Sequence, residues 1–366
     1  MKILSTSYTN TPAFTDPLAW LDRISFYTGI LEELAKQHEV ESVEQINYEG
    51  ELERNGVLYH FLNYKKKKLH FPWALHRQIK KMKPDIILVN GFIFPLQTIQ
   101  LRMKLGRLPK IIVLHRGERP YRGLRGYLQK LADKTVNAYL FTSAAFGKEW
   151  TRRGNISDQK KIHEVIQASS VFFPQDKISA RRTLNINGSP VFLWVGRLDA
   201  NKDPLTVVKA FLQFIPLCPG ARLYMVYQSE ELLEEIKDMV RSNSKAAEAI
   251  KLAGQIPHEQ LQNWYNAADF IVSGSHHEGS GIAVSEAMSC GCIPVLTDIN
   301  SFRKMTGPGK CGLLYEPGND SMLLKILMQT QQLDMEKEST KVLQQFNDEL
   351  SFEAIAKKIN AIISSL

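Results

Sequence analysis

Apolar residues come in short runs along the first half of the chain, each ending in a loop: KILSTSY (2–8), DIILVNG (85–91), KIIVLHRG (110–117), NAYLFTS (137–143) and HEVIQA (163–168). Between several of them the apolar positions fall at helix spacing, as in FYTGILEELAKQ (26–37), where Ile30, Leu31 and Leu34 recur on one face. Continuous Val/Ile/Leu runs separated by helices predict a parallel sheet covered on both faces. After the turn-rich stretch RRTLNINGSP (181–190) the pattern restarts with VFLWVGR (191–197), ARLYMVYQ (221–228), AIKLAG (249–254), DFIVSGS (269–275), CIPVLTDI (292–299) and CGLLYEPG (311–318). The two halves share no convincing sequence repeat, so the expectation is an α/β protein of two doubly wound, Rossmann-like domains, spanning 1–175 and 176–345. The last segment, 346–366, carries an apolar stripe of Phe352, Ile355, Ile359 and Ile362 behind a candidate N-cap, Ser351, and must dock somewhere.

Composition narrows this picture little. The chain has 366 residues, 44% hydrophobic and 23% charged, an ordinary globular balance that suits two cores. No run approaches the ~20 apolar residues needed to span a bilayer, and MKILSTSYTN turns polar too soon for a signal peptide. The expected location is the cytoplasm. The cysteines, Cys218, Cys290, Cys292 and Cys311, read as small buried thiols, since no second ligand pair completes a zinc spacing around Cys290-Gly-Cys292.

Charge adds one feature. The formal net charge is +8, and the excess gathers in 65–83 and 116–130, where Lys and Arg interleave with Phe71, Trp73, Tyr121 and Tyr127. A solvated basic face, a nucleic-acid patch and contact with anionic lipid all fit such a pattern.

In open α/β sheets ligands bind beyond the carboxyl ends of the strands, and the second half places unusual residues there. VFLWVGR ends in Gly196-Arg197, and Lys202 lies just before a helix that Asp203 and Pro204 would open. A guanidinium and an ammonium at one mouth suit a diphosphate. The strand DFIVSGS leads into HHEGSG and the helical IAVSEAMSCG. That arrangement turns the amides of Ser280, Gly281 and Ile282 toward the same mouth, where they favour an anionic or oxygen-rich ligand. Glu278 in the glycine turn can bond sugar hydroxyls, or simply complement the helix start. Glu286, on the second turn, can accept bonds from a ribose diol.

GRLDANKDP together with AADFIVSGSHHEGSGIAVSEAMSCGCIPVLTD resembles the retaining glycosyltransferases of family 4, which have the GT-B fold. Glu278 and Glu286 match the family's E-x(7)-E element, and Gly196, Arg197 and Lys202 its G-R-x(4)-K element. The match is specific over 191–318; the first half resembles the family only in its general pattern. The resemblance implies two Rossmann-like domains facing a cleft, an acceptor-binding first domain, a donor-binding second domain, and a terminal helix returning to the first. Arg197 and Lys202, with Gly196, would bind the donor diphosphate and stabilise it as leaving group. Glu286 would hold the ribose, Glu278 with the amides of Ser280, Gly281 and Ile282 the donor sugar, and the backbone at Gln255-Ile256 the base. His115 matches a family histidine that meets the donor sugar, and with Glu278 it is the expected catalytic residue.

The implied reaction is retaining and needs no metal or other cofactor, in keeping with a chain that lacks an Asp-x-Asp pair. It would move a hexose-type sugar from a nucleotide-sugar, UDP-sugar favoured over GDP-sugar, to a hydroxyl of a glycan or lipid-linked glycan in cell-envelope polysaccharide synthesis. Lipid-linked acceptors shift the basic segments 65–83 and 116–130 toward peripheral contact with an anionic membrane, on the cytoplasmic face of the plasma membrane, with nucleic acid no longer expected. The sequence departs from the family where a Gly-Gly loop is usual, here LDRISFYTGI (21–30) with Gly29 alone, and at Ser280, where an aromatic is usual. Two alternatives stand beside this reading: a sugar-nucleotide epimerase on the same fold, and a non-catalytic basic binding protein.

Overall fold

A computed structural model describes residues 1–64, 66–243 and 246–366. Lys65, the first residue of the basic segment 65–83, lies outside the described residues. The chain divides into two compact units, Met1–Ser169 with Phe352–Leu366, and Ser170–Ser351. The sequence reading puts these boundaries near 175 and 345.

The first unit is built on strands β1 (Lys2–Thr6), β2 (Glu39–Gln45), β3 (Gly50–Arg54), β4 (Val57–Leu62), β5 (Ile86–Asn90), β6 (Lys110–Leu114), β7 (Ala138–Phe141) and β8 (Ile162–Glu164). Among the described residues they form one sheet in the order β3-β4-β2-β1-β5-β6-β7-β8, parallel except for β3 against β4. β1 lies between β2 and β5, so the chain winds away from it in both directions. The apolar faces of β1, β5, β6 and β7 meet the covering helices through Leu4, Ile87, Val113, Tyr139 and Trp150.

The sequence reading misses β2, β3 and β4. β2 is rich in glutamate, and its Glu41 is only 6% exposed because Lys2 pairs with it at 2.6 Å and His60 donates to it at 3.1 Å. β3 and β4 form a hairpin over Asn55-Gly56, both with positive φ, the geometry that an Asn-Gly pair adopts most readily.

The region 21–30 is also not a loop. It belongs to the helices Pro17–Arg23 and Ser25–Ala35. Gly29 lies inside the second, where a Cβ would stand 2.6 Å from the Phe352 ring. That glycine lets the C-terminal helix, Phe352–Ser365, pack closely on Ser25–Ala35 within the same unit. The buried stripe of this helix is Ile355, Ala356, Ile359 and Ile363, so Ile363 rather than Ile362 turns inward.

The second unit holds β9 (Val191–Gly196), β10 (Arg222–Tyr227), β11 (Ile250–Gly254), β12 (Phe270–Ser273), β13 (Ile293–Thr297) and β14 (Leu313–Tyr315). They form a parallel sheet in the order β11-β10-β9-β12-β13-β14. The winding direction reverses between β9 and β12, and the crevice beyond such a reversal is where this architecture binds ligands.

Candidate functional site

Two loops leave the carboxyl ends of β9 and β12 at that reversal, and they are laced together. The first, 197–203, closes on itself: Lys202 N donates to Asp199 Oδ1 at 2.9 Å, and Arg197 Nη2 pairs with Asp199 Oδ2 at 3.1 Å. Asp203, at φ 41°, caps the helix Pro204–Phe214 by accepting from Thr206 N at 3.1 Å. The second loop, 274–281, is tied to it three times. His276 N donates to the Asn201 carbonyl at 2.8 Å, and Asn201 Nδ2 donates to the His277 carbonyl at 3.0 Å. His276 Nε2 also donates to Asp203 Oδ2 at 3.1 Å. Gly274 permits this approach, since a Cβ there would stand 2.5 Å from the Asp203 carbonyl oxygen.

The lacing brings Lys202 and Glu278 together. Their side chains form an ion pair, Lys202 Nζ with Glu278 Oε1, and Ser275 Oγ donates to the same oxygen at 2.8 Å. Both are mostly shielded, at 23% and 13% side-chain exposure. Lys202, Glu278, Gly281 and Ile282 line one small pocket of the second unit, with Trp194 and Phe302 among its other walls. Gly196 sits beside Trp194 and Lys202: a Cβ would stand 3.1 Å from the indole and 3.7 Å from Lys202 Cγ. Arg197 stands apart at 61% exposure; among the described residues its guanidinium pairs with Asp199 alone.

The helix Ile282–Ser289 starts at Gly281, whose φ of 57° belongs to the left-handed region. A side chain there would also meet Met305 Sδ at 2.9 Å and Phe302 at 3.1 Å. The first amides of the helix have no partner inside it, which leaves Ile282 N and its neighbours available to a ligand.

Glu286 lies on the next turn and is 4% exposed. His258 Nε2 donates to its Oε1 at 2.6 Å and Tyr265 OH to its Oε2 at 2.8 Å. Burial and the Glu286 carboxylate push the Tyr265 hydroxyl well above its usual pKa, so it stays a donor. His258 also faces the Phe172 ring, centroid to centroid 5.1 Å. Gln255 and Ile256 follow β11 directly, and His258, two positions on, links that loop to Glu286. The sequence reading misses Ser275, His258 and Tyr265. They reach the glutamates from 3, 28 and 21 positions away, and only the first is a local relationship.

His115 is found elsewhere. It lies in the first unit, just after β6, and is 0% exposed. Phe92, Phe141, Phe146 and Trp150 surround its ring at centroid distances of 4.7–6.2 Å, and its Nε2 donates to the Glu118 carbonyl at 2.7 Å. In this structure its ring is interior and it anchors the 115–118 turn.

The basic segments lie on the first unit. The helix Trp73–Met82 buries Leu75, His76 and Ile79 and leaves Arg77, Lys80 and Lys81 exposed. Phe71 and Trp73 are 62% and 43% exposed, and Leu124 and Tyr127, on the helix Gly123–Asp133, 76% and 60%. Both helices pack against Pro95–Leu105. Among the described residues no helix is long and apolar enough to cross a membrane.

Residues 176–342 match the family model of glycosyl transferases group 1. A D-inositol 3-phosphate glycosyltransferase of Acidothermus cellulolyticus is 30% identical over 161 residues, 42% of this chain and 36% of that protein. A GDP-mannose:cellobiosyl-diphosphopolyprenol alpha-mannosyltransferase of Xanthomonas oryzae is 30% identical over 122 residues, 33% of this chain and 32% of that protein. The chain thus matches about a third of the length of these curated relatives. Among solved structures, a glycosyltransferase from Rickettsia africae aligns over 100% of this chain and 98% of its own at TM-score 0.76 and 16% identity. Sucrose-phosphate synthase from Thermosynechococcus elongatus aligns over 100% and 99% at 0.73 and 19%. HepE of Anabaena in complex with UDP aligns over 100% of both chains at 0.71 and 14%. The fold is GT-B. The likeness read from the motifs of the second half is borne out for 176–342.

Proposed function

We propose that this chain, whose residues 176–342 fit the group 1 glycosyltransferases, is a retaining glycosyltransferase of family 4 that takes its donor in the second unit. The observation that carries the reading is the Lys202–Glu278 ion pair beside a glycine-started helix, at the winding reversal of the β9–β12 sheet. Arg197 and Lys202 receive the donor diphosphate, Gly196 giving Lys202 its room. Glu278 and the amides of Ser280, Gly281 and Ile282 take the sugar. Glu286 takes the ribose once His258 yields its place, and the backbone at Gln255-Ile256 meets the base.

The chemistry follows from charge. Breaking the sugar–phosphate bond leaves negative charge on the diphosphate, and two cations with a helix N-terminus stabilise it as it develops. No resident metal is required by this arrangement. With no side chain assigned as nucleophile, the leaving phosphate accepts the acceptor hydroxyl's proton on the face where the new bond forms, which retains configuration. UDP-sugar is the preferred donor in this proposal; HepE was solved with UDP, while the Xanthomonas relative is named for GDP-mannose.

The acceptor we propose is a glycan or lipid-linked glycan of a cell-envelope polysaccharide, met at an anionic membrane surface. Support comes from Phe71, Trp73, Leu124 and Tyr127, exposed among Arg77, Lys80, Lys81, Arg122 and Arg125. Aromatics among cations suit a headgroup boundary. Incubation with UDP-glucose and chromatography of the products tests the activity. Release of UDP, lost in Glu278→Ala, supports transfer. A changed sugar still attached to UDP supports the epimerase instead, and no turnover of UDP- or GDP-sugars overturns both.

A further inference from the structure

The first sheet has its own winding reversal, between β1 and β5, and a cation sits at it without an anion. Arg116 follows β6 and reaches back across the strand ends. Its Nη2 donates to Asn90 Oδ1 at 2.5 Å, at the end of β5, and its Nη1 to the Gln167 carbonyl at 2.9 Å. The guanidinium carbon lies 4.8 Å from the centre of the Tyr27 ring. All three partners are neutral. Glu118 is the nearest carboxylate, but its oxygens accept from Phe92 N at 2.8 Å and from Arg116's own amide at 2.7 Å. Among the described residues the guanidinium has no ion pair. Burial lowers its pKa, with Glu118 and Tyr27 offsetting part of the effect. One hydroxyl on the Gln167 segment, Ser169 Oγ, is buried and has no hydrogen-bond partner among the described residues.

A shielded cation with only neutral partners is costly, and an unpaired buried hydroxyl adds to that cost. A bound anion offsets both, and a guanidinium's planar fork suits a phosphate. We propose that Arg116, held in place by Asn90, forms with Ser169 a subsite of the first unit for a phosphate group of the acceptor. That assignment of the ligand rests on the glycosyltransferase reading; the subsite itself does not. The phosphate belongs to a lipid diphosphate or to a soluble phosphorylated sugar.

The test uses the full chain carrying Arg197→Ala and Lys202→Ala, so that the second unit offers no competing cations. Inorganic pyrophosphate is titrated into it by calorimetry, with and without Arg116→Gln. The expected result is one binding site, weakened about tenfold or more by Arg116→Gln and less by Arg116→Lys. Ser169→Ala weakens it a few-fold without touching the guanidinium, and keeps the test open if Arg116→Gln does not fold. Geranyl diphosphate and glucose 6-phosphate then separate the sources, the tighter ligand marking the acceptor type. If pyrophosphate does not bind at millimolar concentration, or binds equally well to every variant, Arg116 is only a brace between β5 and the Gln167 segment and the proposal falls. UDP binding to the unmodified chain is measured separately, so failure of the donor site and failure of this subsite are told apart.

Discussion

Lys202 and Glu278, 76 residues apart in sequence, neutralise each other at the mouth of the second sheet. Each is assigned a different part of the donor, so the pair must open when the donor enters. The two substitutions should therefore act differently. Lys202→Ala removes a cation from the diphosphate and is expected to weaken UDP binding about tenfold or more. Glu278→Gln frees Lys202 and is expected to leave UDP affinity equal or higher, while sugar transfer from UDP-glucose falls at least a hundredfold, about 3 kcal/mol of transition-state stabilisation. Calorimetry with UDP and rate measurements separate the two; equal losses of UDP affinity in both variants would contradict the assignment.

Glu286 gives a prediction that needs no assay of transfer. If its carboxylate accepts from the ribose hydroxyls, UDP should bind about tenfold more tightly than its 2′-deoxy analogue. Glu286→Gln should shrink that ratio toward one. An unchanged ratio would confine Glu286 to its present role, holding His258 and Tyr265 in place.

Gly281 combines a left-handed backbone with two close neighbours, Met305 and Phe302. Gly281→Ala is expected to destabilise the chain by about 1–2 kcal/mol from backbone conformation alone, with the Met305 contact adding to this. It should also weaken UDP-glucose binding, because the first turn of Ile282–Ser289 must shift. Denaturant melts and calorimetry read both effects. A variant of unchanged stability would mean that the turn adapts freely.

His76 links pH to stability in the first unit. It is buried, shares a 2.9 Å hydrogen bond with the Tyr8 hydroxyl, and has its pKa lowered to about 4 by burial, with Lys104 adding to the shift. The unfolded chain takes up this proton near pH 6.5 and the folded chain only near 4. Stability is therefore full above 6.5 and declines as pH falls toward 4, by up to about 3 kcal/mol at 1.36 kcal/mol per unit. Denaturant melts at pH 7.5 and 4.5 should show a smaller pH difference in His76→Phe than in the parent chain. Equal differences would mean that His76 titrates normally.

What could be read from the sequence was local. The parallel core strands are continuous apolar runs, and a cation or glutamate at a strand end is visible because strand, turn and helix lie within about a dozen residues. Glu41 hides β2 because its partners, Lys2 and His60, come from other strands. The β3–β4 hairpin, by contrast, has a local signal in Asn55-Gly56. Gly29 reads as a remnant of a ligand loop, whereas its reason is Phe352, more than three hundred residues away. His115 sits after an apolar strand and reads as a mouth residue, yet four aromatics from three other segments enclose it. For Glu41, Gly29 and His115 the deciding partner is brought by tertiary packing.

The donor site is the central claim, and calorimetric titration of UDP into the full chain, beside Lys202→Ala and Arg197→Ala, tests it most directly. The account predicts one site per chain, weakened about tenfold or more by each substitution. No UDP binding at millimolar concentration, or binding that neither substitution changes, would contradict it.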